Sequence, residues 1–327
     1  MELKEELKKR RNFFNGQLEN FLHGGEPEAL YNAVRHLPLA GGKRLRPCLA
    51  MIACEAVSGD IINVIPLTIA LELTHNFTLV HDDIMDKSKL RRNIQTVHTK
   101  YGEPTAIIAG DLLFTKSFES IHQIKGDLST FKNIEFGLID CVREISEGQQ
   151  IDMEFEKRNN VTEDEYIDMI LKKTAVLFMY AAEAGAILGG GTREQASSLN
   201  EYGKNLGLGF QITDDYLDMS SNEKILGKDI GNDIRNGKKT LIAVHCINNV
   251  TDKDKKTLDK IFGNINASEE EIKQVYDLFK KTGSVEYAKE KSFEYCNNAK
   301  KAIDILHDSD AKQILLKLAE YSIKREK

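Results

Sequence analysis

PLTIALELTHNFTLVHDDIMD, residues 66–86, is the segment from which the rest of the chain can be read. Proline is favoured in a first helical turn, so a helix should run from near Pro66 to near Asp86, about 30 Å at 1.5 Å per residue. Leu71, Leu73, Phe77, Leu79 and Val80 make it largely apolar, yet it ends in Asp82-Asp83-Ile84-Met85-Asp86. First and last aspartates of such a cluster lie one turn apart, about 40° around the helix. His75 falls within about 20° of Asp82, two turns earlier. Crowded carboxylates repel and give a helix nothing by themselves. A divalent cation, bound through oxygen and completing its shell with phosphate, would remove that repulsion. A second stretch, LGLGFQITDDYLD at 206–218, repeats the design: Asp214, Asp215 and Asp218 close an apolar helix, with Gln211 one turn before Asp214. That helix should run from near Gln195 to Asp218. One such cluster could equally be a solvated acidic face; two, each on an apolar helix, favour a trap for metal and diphosphate.

The remainder of the chain agrees with an all-α reading. All five prolines lie at or before Pro104, leaving 223 residues without one, and proline is expelled from helix interiors. Glycines punctuate in groups, and no sustained alternation or hairpin signal suggests a sheet. With 327 residues, 41% of them hydrophobic, the chain can bury a large core, and a single domain over 1–327 is expected. A net charge of -6 offers no footprint for nucleic acid. Five scattered cysteines lack metal spacing and read as reduced thiols. The N-terminus MELKEELKKRRNFF is charged rather than apolar, and the apolar run Ala175 to Leu188 is broken by Glu183 and too short to cross a membrane. A cytoplasmic protein with no transmembrane segment is the expectation.

Basic residues follow each acidic cluster: Arg91 and Arg92 after the first, Lys228 and Lys238 after the second. Diphosphate needs such cations, and the guanidinium fork suits phosphate oxygens. Upstream, Gly41-Gly42-Lys43-Arg44-Leu45-Arg46-Pro47 places three cations in four residues and reads either as a second anion site or as a basic turn. No nucleophile elbow, Walker loop, HExxH or Cys/His set appears, so the chemistry is not covalent catalysis at a side chain.

Together GGKRLRP, LVHDDIMD, LRR, GFQITDDYLD and GKDIGNDIRNGKKT resemble the trans-isoprenyl diphosphate synthases, in order from Gly41 to Thr240. AGD at 109–111, GQQID at 148–152 and KTAVLF at 173–178 add to the resemblance. Lys89 stands where that family often has an acid, and Asn93 where it usually has glycine, which puts the local loop geometry in question. The resemblance implies long antiparallel helices around a central cavity, usually in a homodimer. It implies Mg²⁺, roughly two or three ions per site, held by Asp82, Asp86 and Asp214, with Asp83, Asp215 and Asp218 in support. It assigns Arg91, Lys173, Lys228 and Lys238 to an allylic diphosphate (dimethylallyl, geranyl or farnesyl). Lys43, Arg46, His75 and Arg92 fall to isopentenyl diphosphate, and Thr174 and Gln211 to the flank of the developing allylic cation. Phe77 and Thr78, five and four residues before Asp82, resemble the pattern of archaeal-type synthases making geranylgeranyl diphosphate. On the helical wheel Thr78 lies about 40° from Asp82 but Phe77 about 140° away, so Phe77 could equally be a core residue. Farnesyl or longer-chain synthases remain alternatives, as do a terpene cyclase and a regulatory subunit of a heteromeric synthase. The basic GGKRLRP segment argues against the cyclase, and two intact acidic motifs argue against the subunit.

Overall fold

A computed structural model describes residues 2–158, 160–220 and 229–324, with the backbone alone described at 218–220 and 229–232. The chain forms two compact units. Unit 1 gathers Met1–Val142, Tyr180–Asn200 and Ile303–Lys317; unit 2 gathers Arg143–Met179, Glu201–Ala302 and Leu318–Lys327. The all-α expectation holds.

The helices are α1 (Leu3–Phe21), α2 (Glu28–His36), α3 (Leu45–Ala56), α4 (Ile65–Met85), α5 (Val97–Tyr101), α6 (Glu103–Ile121), α7 (Leu128–Phe155) and α8 (Glu163–Ile170). They continue as α9 (Val176–Leu188), α10 (Arg193–Ser220), α11 (Asp229–Asn236), α12 (Leu241–Asn249), α13 (Asp252–Ile261), α14 (Glu269–Lys281), α15 (Ser284–Ala302) and α16 (Asp310–Lys324). None of the described helices is long and apolar enough to cross a membrane.

In unit 1, α3 is the most enclosed helix. Every residue from Pro47 to Cys54 is buried, as expected of a segment apolar on all sides. It packs on α4, and α4 packs on α6. Pro66 sits in the first turn of α4 and Asp86 caps its end, within a residue of the sequence expectation. In unit 2 a core of Tyr166, Ile170, Leu208, Ile212, Ile242 and Phe279 joins α8, α10, α12 and α14. Here α10 runs two residues further at each end than the sequence suggested.

Two local features depart from the sequence reading. Leu90–Arg91 and Ile94–Gln95 form a short antiparallel ribbon, β1 and β2, with Arg91 opposite Ile94. Its two-residue turn, Arg92-Asn93, has φ of 52° and 62°, the doubly left-handed geometry that hairpin twist requires. Asparagine tolerates that conformation, so Asn93 is compatible with the turn. The second feature is a π-helical turn, Leu171–Ala175, between α8 and α9. It rests against α7 at Gly148, where any Cβ would fall on the Lys173 backbone, 2.8 Å from its Cα.

Candidate active site

Unit 1 carries two kinds of polar chemistry on one helix. At the end of α4, Asp82 is half-buried and Asp86 exposed, one turn apart. Asp83, between them, turns inward and is 1% exposed. Arg91 Nε on the ribbon donates to Asp83 Oδ1 at 2.8 Å, while Asp83 Oδ2 is buried without a hydrogen-bond partner. Burial raises the Asp83 carboxyl above its ordinary range, and the charge of Arg91 pulls it back. The carboxyl oxygens of Asp82 and Asp86 are the donors a hard divalent cation prefers. Among the described residues no three or more His, Cys, Asp or Glu side chains are grouped to hold a metal. A cation at this end would draw further ligands from water or phosphate, as magnesium commonly does. The residues fit such an ion.

Two turns earlier the environment is cationic. His75 is half-buried, and its imidazole is pushed well below its ordinary pKa, first by burial and then by Arg46, Arg92, Arg91 and Arg44. The positive charge of those four arginines favours an anion nearby. Lys43 is exposed, and Arg46 and Arg92 are half-buried. Arg92 Nη1 donates to Leu37 O at 3.2 Å and to Gly41 O. Gly42 lies directly under that guanidinium. A Cβ there would meet the Arg92 guanidinium carbon at 3.2 Å, and the backbone φ of 141° is itself a glycine conformation.

The middle cation of the basic segment behaves differently. Arg44 is 4% exposed and forms an ion pair with Glu72 Oε1 on α4. Its other nitrogens donate to Pro38 O and, at 3.0 Å, to Asn15 Oδ1. Of the three cations in that segment, Arg44 is thus committed to the protein interior.

Phe77 meets Phe114 of α6 edge-on, ring centroids 5.3 Å apart, and Phe114 meets Phe118 at 5.1 Å. Thr78 Oγ1 is held by the His75 carbonyl at 2.8 Å.

Unit 2 gathers Asp152, Tyr166, Lys173, Thr174, Gln211, Asp215, Lys238 and Thr240 around a cleft of about 110 Å³. A hydrogen-bonded chain crosses it. Thr174 Oγ1 donates to Gln211 Oε1 at 2.9 Å, and Gln211 Nε2 donates to Asp215 Oδ1 at 3.0 Å. Tyr166 Oη donates to Asp215 Oδ2 at 2.7 Å. Burial pushes the Asp215 carboxyl up to about 6, against the lowering effect of Lys238, Tyr166 and Gln211. Lys173 Nζ pairs with Asp152 Oδ2 at 2.5 Å. Asp214 is half-buried on the same helix. Lys238 and Lys239 part company: Lys239 is 6% exposed, donates to Gly237 O at 2.9 Å and lies 4.9 Å from the Phe262 ring centroid. Lys228 and the Asp218 side chain lie outside the described residues.

Sequence reasoning missed Glu72, Tyr166 and the pairing role of Asp152. Glu72 lies between Leu71 and Leu73 and was given no role. Tyr166 precedes Lys173 by two turns on a helix with an ordinary capping box, so nothing local marks it. Asp152 stood in the GQQID motif without an assigned partner.

Residues 27–279 match the polyprenyl synthetase family. The geranylgeranyl diphosphate synthase of Methanosarcina mazei is 43% identical over 326 residues, covering 100% of this chain and 99% of that protein. A short chain isoprenyl diphosphate synthase of Methanothermobacter thermautotrophicus is 40% identical, with the same coverage. Among solved structures, the geranylgeranyl pyrophosphate synthetase of Pyrococcus horikoshii superposes with a TM-score of 0.93 at 40% identity, covering 99% of both chains.

Proposed function

The chain belongs to the polyprenyl synthetase family, and from that premise we propose that it condenses isopentenyl diphosphate with allylic diphosphates, ending at geranylgeranyl diphosphate. One observation carries the reading. A single helix, α4, holds an acidic pair suited to a metal-bound diphosphate at Asp82 and Asp86 and, two turns earlier, a half-buried histidine in the field of Arg46, Arg92, Arg91 and Arg44. Seven residues of helix separate His75 from Asp82 by about 10 Å. Two diphosphates bound by two different chemistries, one through metal and one through direct cations, are what a two-substrate prenyl transfer needs.

Asp82, Asp86 and Asp214 would hold Mg²⁺, which when bound supplies positive charge to a departing diphosphate. Asp83, Asp215 and Asp218 support them. Arg91, Lys173, Lys228 and Lys238 are assigned to the allylic diphosphate. Lys173 must exchange its contact with Asp152 for a phosphate oxygen, which the flexible lysine stem permits. Lys43, Arg46, His75 and Arg92 take the diphosphate of isopentenyl diphosphate. His75 can donate one N–H to it. Loss of diphosphate from the primer leaves an allylic cation, whose flank Thr174 and Gln211 occupy. The double bond of isopentenyl diphosphate attacks it, and a proton leaves, taken up by the released diphosphate. Water must be excluded throughout, since it would capture the cation. The chain needs no covalent nucleophile.

Phe77 is the proposed floor for the growing tail, braced by Phe114, with Thr78 leaving room beside it. The archaeal geranylgeranyl diphosphate synthase relatives support a twenty-carbon product. A homodimer accords with Ile107, Ile108, Phe136 and Ile139 on α6 and α7, apolar side chains that are 43% to 60% exposed. Cytoplasmic localisation is part of the same reading. The test is incorporation of labelled isopentenyl diphosphate into longer prenyl chains, with and without Mg²⁺. Metal-dependent incorporation supports the proposal, and its absence with every allylic primer refutes it.

A further inference from the structure

Glu72 has no part in the chemistry proposed above, yet it is buried and held by several partners within unit 1. Its side chain is 3% exposed, and burying a carboxylate is costly unless it is paired and hydrogen-bonded. It is both. Arg44 Nη1 binds Oε1, Asn76 Nδ2 donates to the same oxygen at 2.9 Å, and Arg92 Nη2 stands 3.9 Å away. Of the influences on the half-buried Arg92 guanidinium, Glu72 is the one that most strongly favours its charged form.

The two arginines reach past Glu72 to the same stretch of chain. Arg44 fastens it to Pro38 O and Asn15 Oδ1, with its guanidinium 5.7 Å from the Phe14 ring centroid. Arg92 fastens it to Leu37 O and Gly41 O. Residues 37–44 are stitched from both sides, and both stitches converge on one carboxylate. The held segment needs such restraint. Gly41, Gly42 and Arg44 have φ of 94°, 141° and 52°, and a non-glycine residue in the left-handed region is held there at a cost. α3 begins at Leu45, so the same restraint sets Arg46 in the first turn of that helix.

We propose that Glu72 is a positioning residue for isopentenyl diphosphate. Through Arg44 and Arg92 it fixes residues 37–44 and so presents Lys43, Arg46 and Arg92 to that diphosphate. The inference rests on the reading of this cluster as the isopentenyl diphosphate site.

The sign of the effect distinguishes positioning from simple electrostatics. A carboxylate beneath an anion site repels the anion. If its charge were all that mattered, Glu72→Gln would strengthen isopentenyl diphosphate binding. If Glu72 positions the segment, the same substitution keeps shape and the Asn76 contact but loosens both guanidiniums, and binding weakens. The expected result for Glu72→Gln is a rise of about tenfold or more in KM for isopentenyl diphosphate, the scale of a lost charge-assisted hydrogen bond. KM for the allylic primer stays within about twofold. Glu72→Gln strands the Arg44 charge in the interior and can lower the melting temperature, so Glu72→Gln/Arg44→Met is measured alongside. It removes the stranded charge and should melt closer to wild type, yet it still lacks the anchor and keeps the raised KM. An unchanged or lowered KM for isopentenyl diphosphate in either folded variant, or an equal rise for both substrates, overturns the positioning role while leaving the proposed reaction standing. Wild-type protein that fails to elongate any primer overturns both.

Discussion

Replacing Asp215 with asparagine should stabilise the protein at neutral pH while impairing catalysis. Asp215 is 7% exposed, and its carboxyl stands at about 6 against an ordinary 3.8, chiefly through burial. A group whose pKa is raised on folding gives stability that is fully present below its unfolded value and is lost as pH rises through its folded value. At about 1.4 kcal/mol per pH unit the loss reaches about 3 kcal/mol once pH exceeds about 6. Asparagine does not titrate, and its geometry is compatible. Its oxygen can still accept from Gln211 Nε2, and its amide can donate to Tyr166 Oη, which is able to accept. For a 327-residue chain, 3 kcal/mol corresponds to about 4 °C in melting temperature. The assay is a series of melts by circular dichroism from pH 4 to pH 8 in chelator, so that no metal contributes. The variant's advantage should be near zero at pH 4, grow to about pH 6 and then level off. An advantage that does not change with pH, or one largest in acid, would refute the reasoning.

Three further outcomes follow from the geometry. Asp82→Ala and Asp214→Ala should each lower turnover by about two orders of magnitude or more, with melting temperature little changed, in a steady-state assay at saturating Mg²⁺. Phe77→Ala removes the ring that leans on Phe114 and should shift products to longer chains on chromatography of the prenyl alcohols; an unchanged distribution would return Phe77 to the ordinary core. Gly148→Ala places a methyl group against the Lys173 backbone and should displace the π-helical turn, lowering turnover at least about tenfold; turnover within twofold of wild type would show that the turn can give way.

The parts of the fold legible in the sequence were those set by periodicity and by proline. Helix α4 could be placed to within a residue because Pro66 marks its start and the acidic cluster its end. The ribbon after it could not. Its strands are two residues each, too short for any alternation, and its turn is built on Arg92-Asn93 rather than on glycine. The π-helical turn was equally silent, because no local pattern marks it and its contact with α7 at Gly148 is tertiary. Within the candidate site, residue types suggested metal and diphosphate chemistry, but not which cations were committed elsewhere. Spacing and residue type do not separate Arg44 from Arg46 in GGKRLRP; the structure pairs Arg44 with the buried Glu72 and with Pro38 O and Asn15 Oδ1. Lys238 and Lys239 are separated in the same way by the Gly237 carbonyl and the Phe262 ring. Tyr166 lies 49 residues from Asp215, and no local pattern announces a contact at that range.

The most direct test is a product assay on purified wild-type protein with isopentenyl diphosphate, Mg²⁺ and, separately, dimethylallyl, geranyl and farnesyl diphosphates, resolved by chain length. A dominant twenty-carbon product from each primer is the result expected. A fifteen-carbon or longer-than-twenty-carbon end product would keep the prenyl transfer and contradict the role given to Phe77, and no elongation from any primer would contradict the account at its centre.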